Sequence, residues 1–109
     1  MTTLSTHVLD TMHGRPAAGM ALALEDAAGA VLFAGTTNAD GRCPGMPDLA
    51  PGRYALVFAV APYFAAVGAA LSDPPFLDEV RIAFGVVAGG HYHVPLLVSP
   101  YAYSTYRGS

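Results

Sequence analysis

The sequence predicts an all-β fold, an antiparallel β-sandwich with one short helix, and three observations predict it. Short runs rich in β-branched and aromatic residues recur roughly every ten residues. Turn chemistry separates them: HGRP at 13–16, AAG at 27–29, NADG at 38–41, APG at 50–52, AGG at 88–90, and Ser99-Pro100. Within the runs, core-type and polar residues alternate with the period of two that a half-buried strand requires. The strands fall at Leu4 to Asp10, ahead of the HGRP turn, then at Met20 to Asp26 and Ala30 to Thr36 on either side of AAG. A brief strand follows Arg42. Arg53 to Val60 comes next, and Pro62 then ends its β-rich run. After that proline, Phe64, Val67, Gly68 and Leu71 fall at helical spacing, and proline is tolerated in a first helical turn. Glu79 to Val87, His91 to Ser99 and Tyr101 to Arg107 complete the set.

The chain has 109 residues, 53% of them hydrophobic and 12% charged, which predicts a single domain over 1–109. A chain of this size hides roughly two thirds of its unfolded surface, enough for one core. All five cations are arginine, and the net charge is -3. No basic stripe exists to neutralise phosphates, which excludes nucleic acid as a partner class. The single cysteine, Cys43, excludes an internal disulfide framework and fits a reducing compartment. The opening MTTLSTHVLD lacks the basic start and apolar stretch of a secretory signal, so a cytoplasmic address is expected. Tyr54 to Leu71 carries no charge over eighteen residues, just the length of a membrane span. Its internal punctuation favours a buried strand and a short helix, with no membrane partner.

Side-chain parity sorts the polar residues into faces. His7 shares a face with Ser5 and Leu9, whereas Leu4, Thr6 and Val8 point the other way. In HYHVPLLVS, Tyr92, Val94, Leu96 and Val98 read as core, which puts His91, His93, Pro95 and Leu97 on the opposite side. Pro95 withdraws a ladder donor from a strand interior and so marks that stretch as unusual. His13 sits in a turn and reads as solvated.

Strand histidines on a polar face are often plain surface residues. Arg42, following Asp40-Gly41 in a chain sparing with cations, adds weight to a chemical reading. An imidazole can take a proton from water near neutral pH, and a guanidinium can hold a developing oxyanion, which together suit hydrolysis of a carbonyl compound. Three competitors are open on the residues alone. His7, His91 and His93 could form a three-histidine zinc set, although no acidic ligand or outer partner is suggested. Cys43 could be a nucleophile, but a lone cysteine is more often a small packing residue. A Ser-His-Asp triad lacks the GxSxG signature. The tyrosines of PYAYSTY alternate along a strand and read as packing or interface surface.

The opening LSTHVLDTMHGRPAAG, the central TTNADGRC and the closing HYHVPLLVSPYAYSTYRGS resemble the transthyretin-like family, in its 5-hydroxyisourate hydrolase branch. The likeness spans the chain, and the closing YRGS after its tyrosine-rich run is the most specific part. It implies a transthyretin-like antiparallel β-sandwich of about eight strands, forming a homotetramer with its sites at the dimer–dimer interface. It also implies a cyclic amide hydrolase of urate (purine) degradation, which opens 5-hydroxyisourate to 2-oxo-4-hydroxy-4-carboxy-5-ureidoimidazoline without a cofactor or metal. The family's catalytic positions fall on His7, Arg42 and His93. Its terminal signature falls on Tyr106, Arg107, Gly108 and Ser109, and by parity Ser104 joins the substrate-binding set. Resemblance, not parity, chooses His93 over His91, and leaves open which imidazole is the base. The alternative is a noncatalytic transthyretin-like carrier of small aromatic ligands.

Overall fold

Pro95 has no amide hydrogen to give a neighbouring strand, and one of the two sheets is interrupted beside it. The structure, a computed structural model, describes residues 2–108. Its elements in chain order are β1 (Thr3–Ser5), β2 (Val8–Asp10), β3 (Arg15–Pro16), β4 (Ala21–Asp26), β5 (Val31–Thr36), β6 (Gly52–Ala59), α1 (Val60–Ala66), β7 (Glu79–Val86), β8 (His91–His93), β9 (Leu96–Val98) and β10 (Tyr103–Thr105). The expected strands Leu4 to Asp10 and His91 to Ser99 are each split in two, as β1 with β2 and β8 with β9. The halves keep one register, Ser5 opposite His93 and Val8 opposite Leu96. At the gap, the Val94 amide donates to the Ser5 carbonyl at 2.9 Å and the Leu96 amide to the His7 carbonyl at 3.0 Å. The Thr6 hydroxyl donates to the Val94 carbonyl at 2.7 Å, so a side chain supplies a bond where the regular ladder lapses.

β1 pairs with β8, and the order β10-β9-β2-β3 continues that layer. The opposing sheet runs β5-β4-β6-β7, antiparallel throughout. With each interrupted pair taken as one strand, the described residues give eight strands and one helix, matching the expected number, but β3 falls within HGRP, which the sequence reads as a turn. The expectation of antiparallel pairing needs one correction: β1–β8 and β2–β9 run parallel. The brief strand expected after Arg42 does not form. Arg42 makes an isolated bridge to His7, and Pro44 and Pro47 lack the donors a continuing strand would use. The last strand ends at Thr105, with one further bridge between His93 and Gly108.

Alternation places the core as the sequence predicts. Val8, Leu96 and Val98 are fully buried from one sheet, and Leu24, Leu56 and Phe58 meet them from the other. Each such side chain contributes about 1.5–3 kcal/mol over its exposed state. The helix begins at Val60, two residues before Pro62, so that proline still occupies its first turn. It buries Val60, Ala61, Tyr63 and Phe64. Among the described residues no helix is long and apolar enough to cross a membrane.

Asp10 closes β2 inside the protein. Its Oδ2 accepts from the Tyr63 hydroxyl at 2.7 Å and from His13 Nδ1 at 2.6 Å, and its Oδ1 accepts the His13 amide at 2.9 Å. Burial pushes this carboxyl up, but the bonds from Tyr63 and His13 together with the His13 charge bring it below the usual value. Its own burial, and then the bond to the Asp10 carboxylate, push Tyr63 up to about 12. A depressed carboxylate pKa gives stability that is present above the unfolded value and is lost as pH falls through the folded one. Tyr63→Phe removes a donor to a buried anion, so it is expected to cost about 2 kcal/mol at pH 7. Urea unfolding at neutral and acid pH checks this: the deficit should shrink once Asp10 is protonated.

Candidate active site

The outer face of the interrupted sheet collects the polar residues that parity assigned to it. Ser5, His7, His93 and Leu97 are half-buried there, while Leu4, Thr6, Tyr92 and Val94 turn inward. Pro95 departs from that reading, being buried.

Arg42 arrives from a loop built by the NADG turn. The Asn38 side-chain oxygen accepts the amides of Asp40 at 2.9 Å and Arg42 at 3.1 Å, which folds the turn upon itself. Gly41 then takes φ +76°, and a Cβ there would lie 2.4 Å from the Val8 carbonyl oxygen. The close approach lets the Val8 amide donate to the Gly41 carbonyl at 2.8 Å and sets Arg42 opposite His7. Among the described residues Asp10 and Glu25 are the carboxylates that meet a cation, through His13 and Arg81, so Arg42 has no carboxylate partner. Its exposed guanidinium is available to an oxyanion or an electron-rich ring.

His7 Nε2 lies 2.8 Å from the Asp40 carbonyl oxygen. A carbonyl only accepts, so Nε2 carries the hydrogen and, in the neutral ring, Nδ1 holds the lone pair. Burial lowers the pKa of His93 below the ordinary imidazole value, and positive charge on Arg42, His7 and His91 lowers it further. His93 is therefore neutral near pH 7 and able to accept a proton. Its Nδ1 is 2.7 Å from Ser5 Oγ, which leaves Nε2 for a ligand.

The terminal segment closes over this ring. The Gly108 amide donates to the His93 carbonyl at 2.8 Å, and a Cβ at 108 would sit 2.6 Å from His93 Cδ2, so only glycine fits here without displacing the imidazole. Arg107 goes elsewhere: its guanidinium stacks over the Tyr92 ring at 3.9 Å from the centroid, on the other side of the segment. Tyr106 and Arg107 border an open cavity of about 300 Å³ with Ile82, Phe84, Tyr92 and Val94. Ser104 pairs with Leu97 and borders a shallow hollow with Thr11 and Ala102. Ser109 lies outside the described residues.

The structure thus gathers His7, Arg42, His93 and Gly108, and does not bring Ser104 or Arg107 to them. It adds Ser5 and His91, for Ser5 Oγ bridges His93 Nδ1 and His91 Nε2 at 2.7 and 2.8 Å. Parity had put both on this face, but only the parallel register, Ser5 opposite His93, assigns them contacts. Cys43 is buried, and burial pushes its thiol up, the opposite of what a nucleophile needs. Among the described residues no three His, Cys, Asp or Glu side chains are grouped to hold a metal ion.

A family model for the HIUase/Transthyretin family matches residues 4–108. A 5-hydroxyisourate hydrolase of Mesorhizobium japonicum is 50% identical over 113 residues, which cover 97% of this chain and 91% of that relative. The solved 5-hydroxyisourate hydrolase of Klebsiella pneumoniae is 37% identical with a TM-score of 0.87, and each chain is covered fully, at 100%. A solved (S)-allantoin synthase is 40% identical with a TM-score of 0.92; the match takes in 99% of this chain and 44% of that longer one.

Proposed function

The chain belongs to the HIUase/transthyretin family, and from that membership and the histidine–arginine cluster we propose that it hydrolyses 5-hydroxyisourate in urate degradation. The product is 2-oxo-4-hydroxy-4-carboxy-5-ureidoimidazoline. The observation that carries the reading is the bridge setting Arg42 against His7 on the face that also holds His93.

The reaction opens a six-membered ring at a carbonyl, and the new carboxylate of the product marks the carbon attacked. In our reading His93 Nε2 takes a proton from water as its oxygen adds to that carbon. Negative charge then collects on the carbonyl oxygen, where Arg42 meets it. The carbon–nitrogen bond of the ring breaks, and the proton held by His93 goes to the leaving nitrogen. His7, tethered through Nε2 to the Asp40 carbonyl, presents its Nδ1 lone pair to a ring N–H and orients the substrate. Gly108 closes over His93, and Arg107 serves by pinning the terminal segment to Tyr92.

The test uses urate oxidase to generate 5-hydroxyisourate in the presence of the purified protein. Its ultraviolet absorbance should disappear faster than the spontaneous decay. A protein that binds the planar ring but leaves that decay unchanged is instead the carrier weighed from the sequence.

Assembly follows the same reading. β10 is an edge strand, and Tyr101, Tyr103 and Tyr106 stand exposed on and beside it. We assign the protein a cytoplasmic homotetramer with its sites where dimers meet. Light scattering should give about four times the 11.2 kDa chain mass, and a value near one chain at micromolar concentration would contradict this assembly.

A further inference from the structure

Three hydrogen bonds join four side chains in a row from the protein edge to the candidate base. Thr3 Oγ1 lies 2.5 Å from His91 Nδ1, His91 Nε2 lies 2.8 Å from Ser5 Oγ, and Ser5 Oγ lies 2.7 Å from His93 Nδ1. The parallel pairing of β1 with β8 builds the row, because Thr3 stands opposite His91 and Ser5 opposite His93. Residues two apart on a strand share a face, so the two hydroxyls and the two imidazoles interdigitate.

We propose that Ser5 and His91 act as a proton relay that fixes which nitrogen of His93 carries hydrogen, and so are positioning residues for its Nε2. The proposal rests on the hydrolase reading above for its effect on rate, but the relay itself can be observed without substrate.

Proton counting gives the argument. Ser5 has one hydroxyl hydrogen and faces two imidazole nitrogens, so it can donate to only one of them, and where it does it accepts from the other. Each neutral imidazole has a single N–H. With the Ser5 hydroxyl hydrogen kept within the row, two arrangements satisfy all three bonds. In one, His93 Nδ1–H donates to Ser5, the Ser5 hydroxyl donates to His91 Nε2, and His91 Nδ1–H donates to Thr3; His93 Nε2 is then a bare lone pair. In the other every hydrogen is reversed, and His93 Nε2 carries the hydrogen. A Ser5 hydrogen held in the row therefore couples the tautomers of the two histidines.

The first arrangement is the one a base at Nε2 needs, and it has an outlet. When Nε2 takes a proton from water, His93 Nδ1 can pass its hydrogen to Ser5 while Ser5 passes its own to His91 Nε2. No bond other than N–H and O–H changes, and the positive charge moves from His93 to His91. The charges facing His93 are Arg42 from the NADG loop, His7 from the β1–β2 junction and His91 from its own strand. Arg107, from the terminal segment, reaches the His91 carbonyl at 3.4 Å. An imidazolium on exposed His91 is better solvated than one on half-buried His93 beside Arg42. Returning the hydrogens along the same row puts a hydrogen back on Nδ1 and the charge back on His93, whose Nε2 proton then goes to the leaving nitrogen.

The experiment compares the full-length protein with Ser5→Ala, Ser5→Thr and His91→Phe, reading the nitrogen-15 shifts of the His93 ring without substrate and the pH profile of kcat with it. The wild type should show hydrogen on His93 Nδ1. Ser5→Ala should move the ring toward the Nε2–H tautomer and lower kcat about tenfold, with KM within about twofold. Ser5→Thr keeps the hydroxyl and should restore both, while His91→Phe should act as Ser5→Ala does. Combining Ser5→Ala with His91→Phe should cost no more than either alone, since both break one row. Unchanged ring shifts and pH profile in folded Ser5→Ala and His91→Phe would overturn the relay. Should Ser5→Ala fail to fold, His91→Phe decides the matter alone. If the wild type leaves 5-hydroxyisourate to its spontaneous decay, the hydrolase reading fails, and the ring shifts still judge the relay.

Discussion

His93→Ala is expected to slow the opening of 5-hydroxyisourate by about a thousandfold, the middle of the range for a lost general base. KM should change little, because the imidazole acts on water and not on a binding contact of the ring. The acid limb of the wild-type profile gives a second reading of the same group. Only neutral His93 accepts a proton, and its pKa is depressed, first by burial and then by Arg42, His7 and His91. Activity should therefore persist into acid below the ordinary imidazole value and fall only as pH drops through the depressed one. A limb centred above the ordinary value would assign the base to another residue.

Arg42→Ala is expected to lower kcat by about a hundredfold to a thousandfold, the usual loss for one oxyanion donor. It should also move the acid limb toward higher pH, because removing a positive neighbour relaxes His93 toward its ordinary pKa. The two effects together separate a transition-state role from simple misfolding, which would not shift a pKa in a chosen direction. Arg42→Lys should recover part of the rate, since an ammonium keeps the charge but loses the planar fork. Stopped-flow absorbance across pH measures all of this with one preparation of each variant.

What the sequence disclosed depended on how local each feature is. Alternation in LSTHVLD and HYHVPLLV separated the inward residues from the histidine face, because parity is a property of a single strand. The turn residues of NADG located the loop that delivers Arg42, though not the approach of Gly41 to Val8 that fixes it. Pro95 was legible as an irregularity; that it splits the strand and hands Val94 to the Thr6 hydroxyl was not, since the partner lies 88 positions away in the chain. The parallel pairing of β1 with β8 was likewise hidden, and with it the contacts of Ser5 and His91. The resemblance supplied His7, Arg42 and His93 as a set. It also offered Arg107, as parity offered Ser104; their positions here depend on Tyr92 and Leu97, contacts that no motif contains.

The central claim is that three groups remote in sequence work on one substrate, whereas the fourth histidine does not. Single-turnover absorbance decay of fresh 5-hydroxyisourate, recorded for His7→Ala, Arg42→Ala, His93→Ala and His13→Ala proteins shown to be folded, tests it most directly. His13 is bound to Asp10 and should be dispensable to chemistry. The first three variants should decay near the spontaneous rate and the fourth near the wild-type rate. Wild-type decay in the first three, or a loss in His13→Ala equal to theirs, would contradict the account.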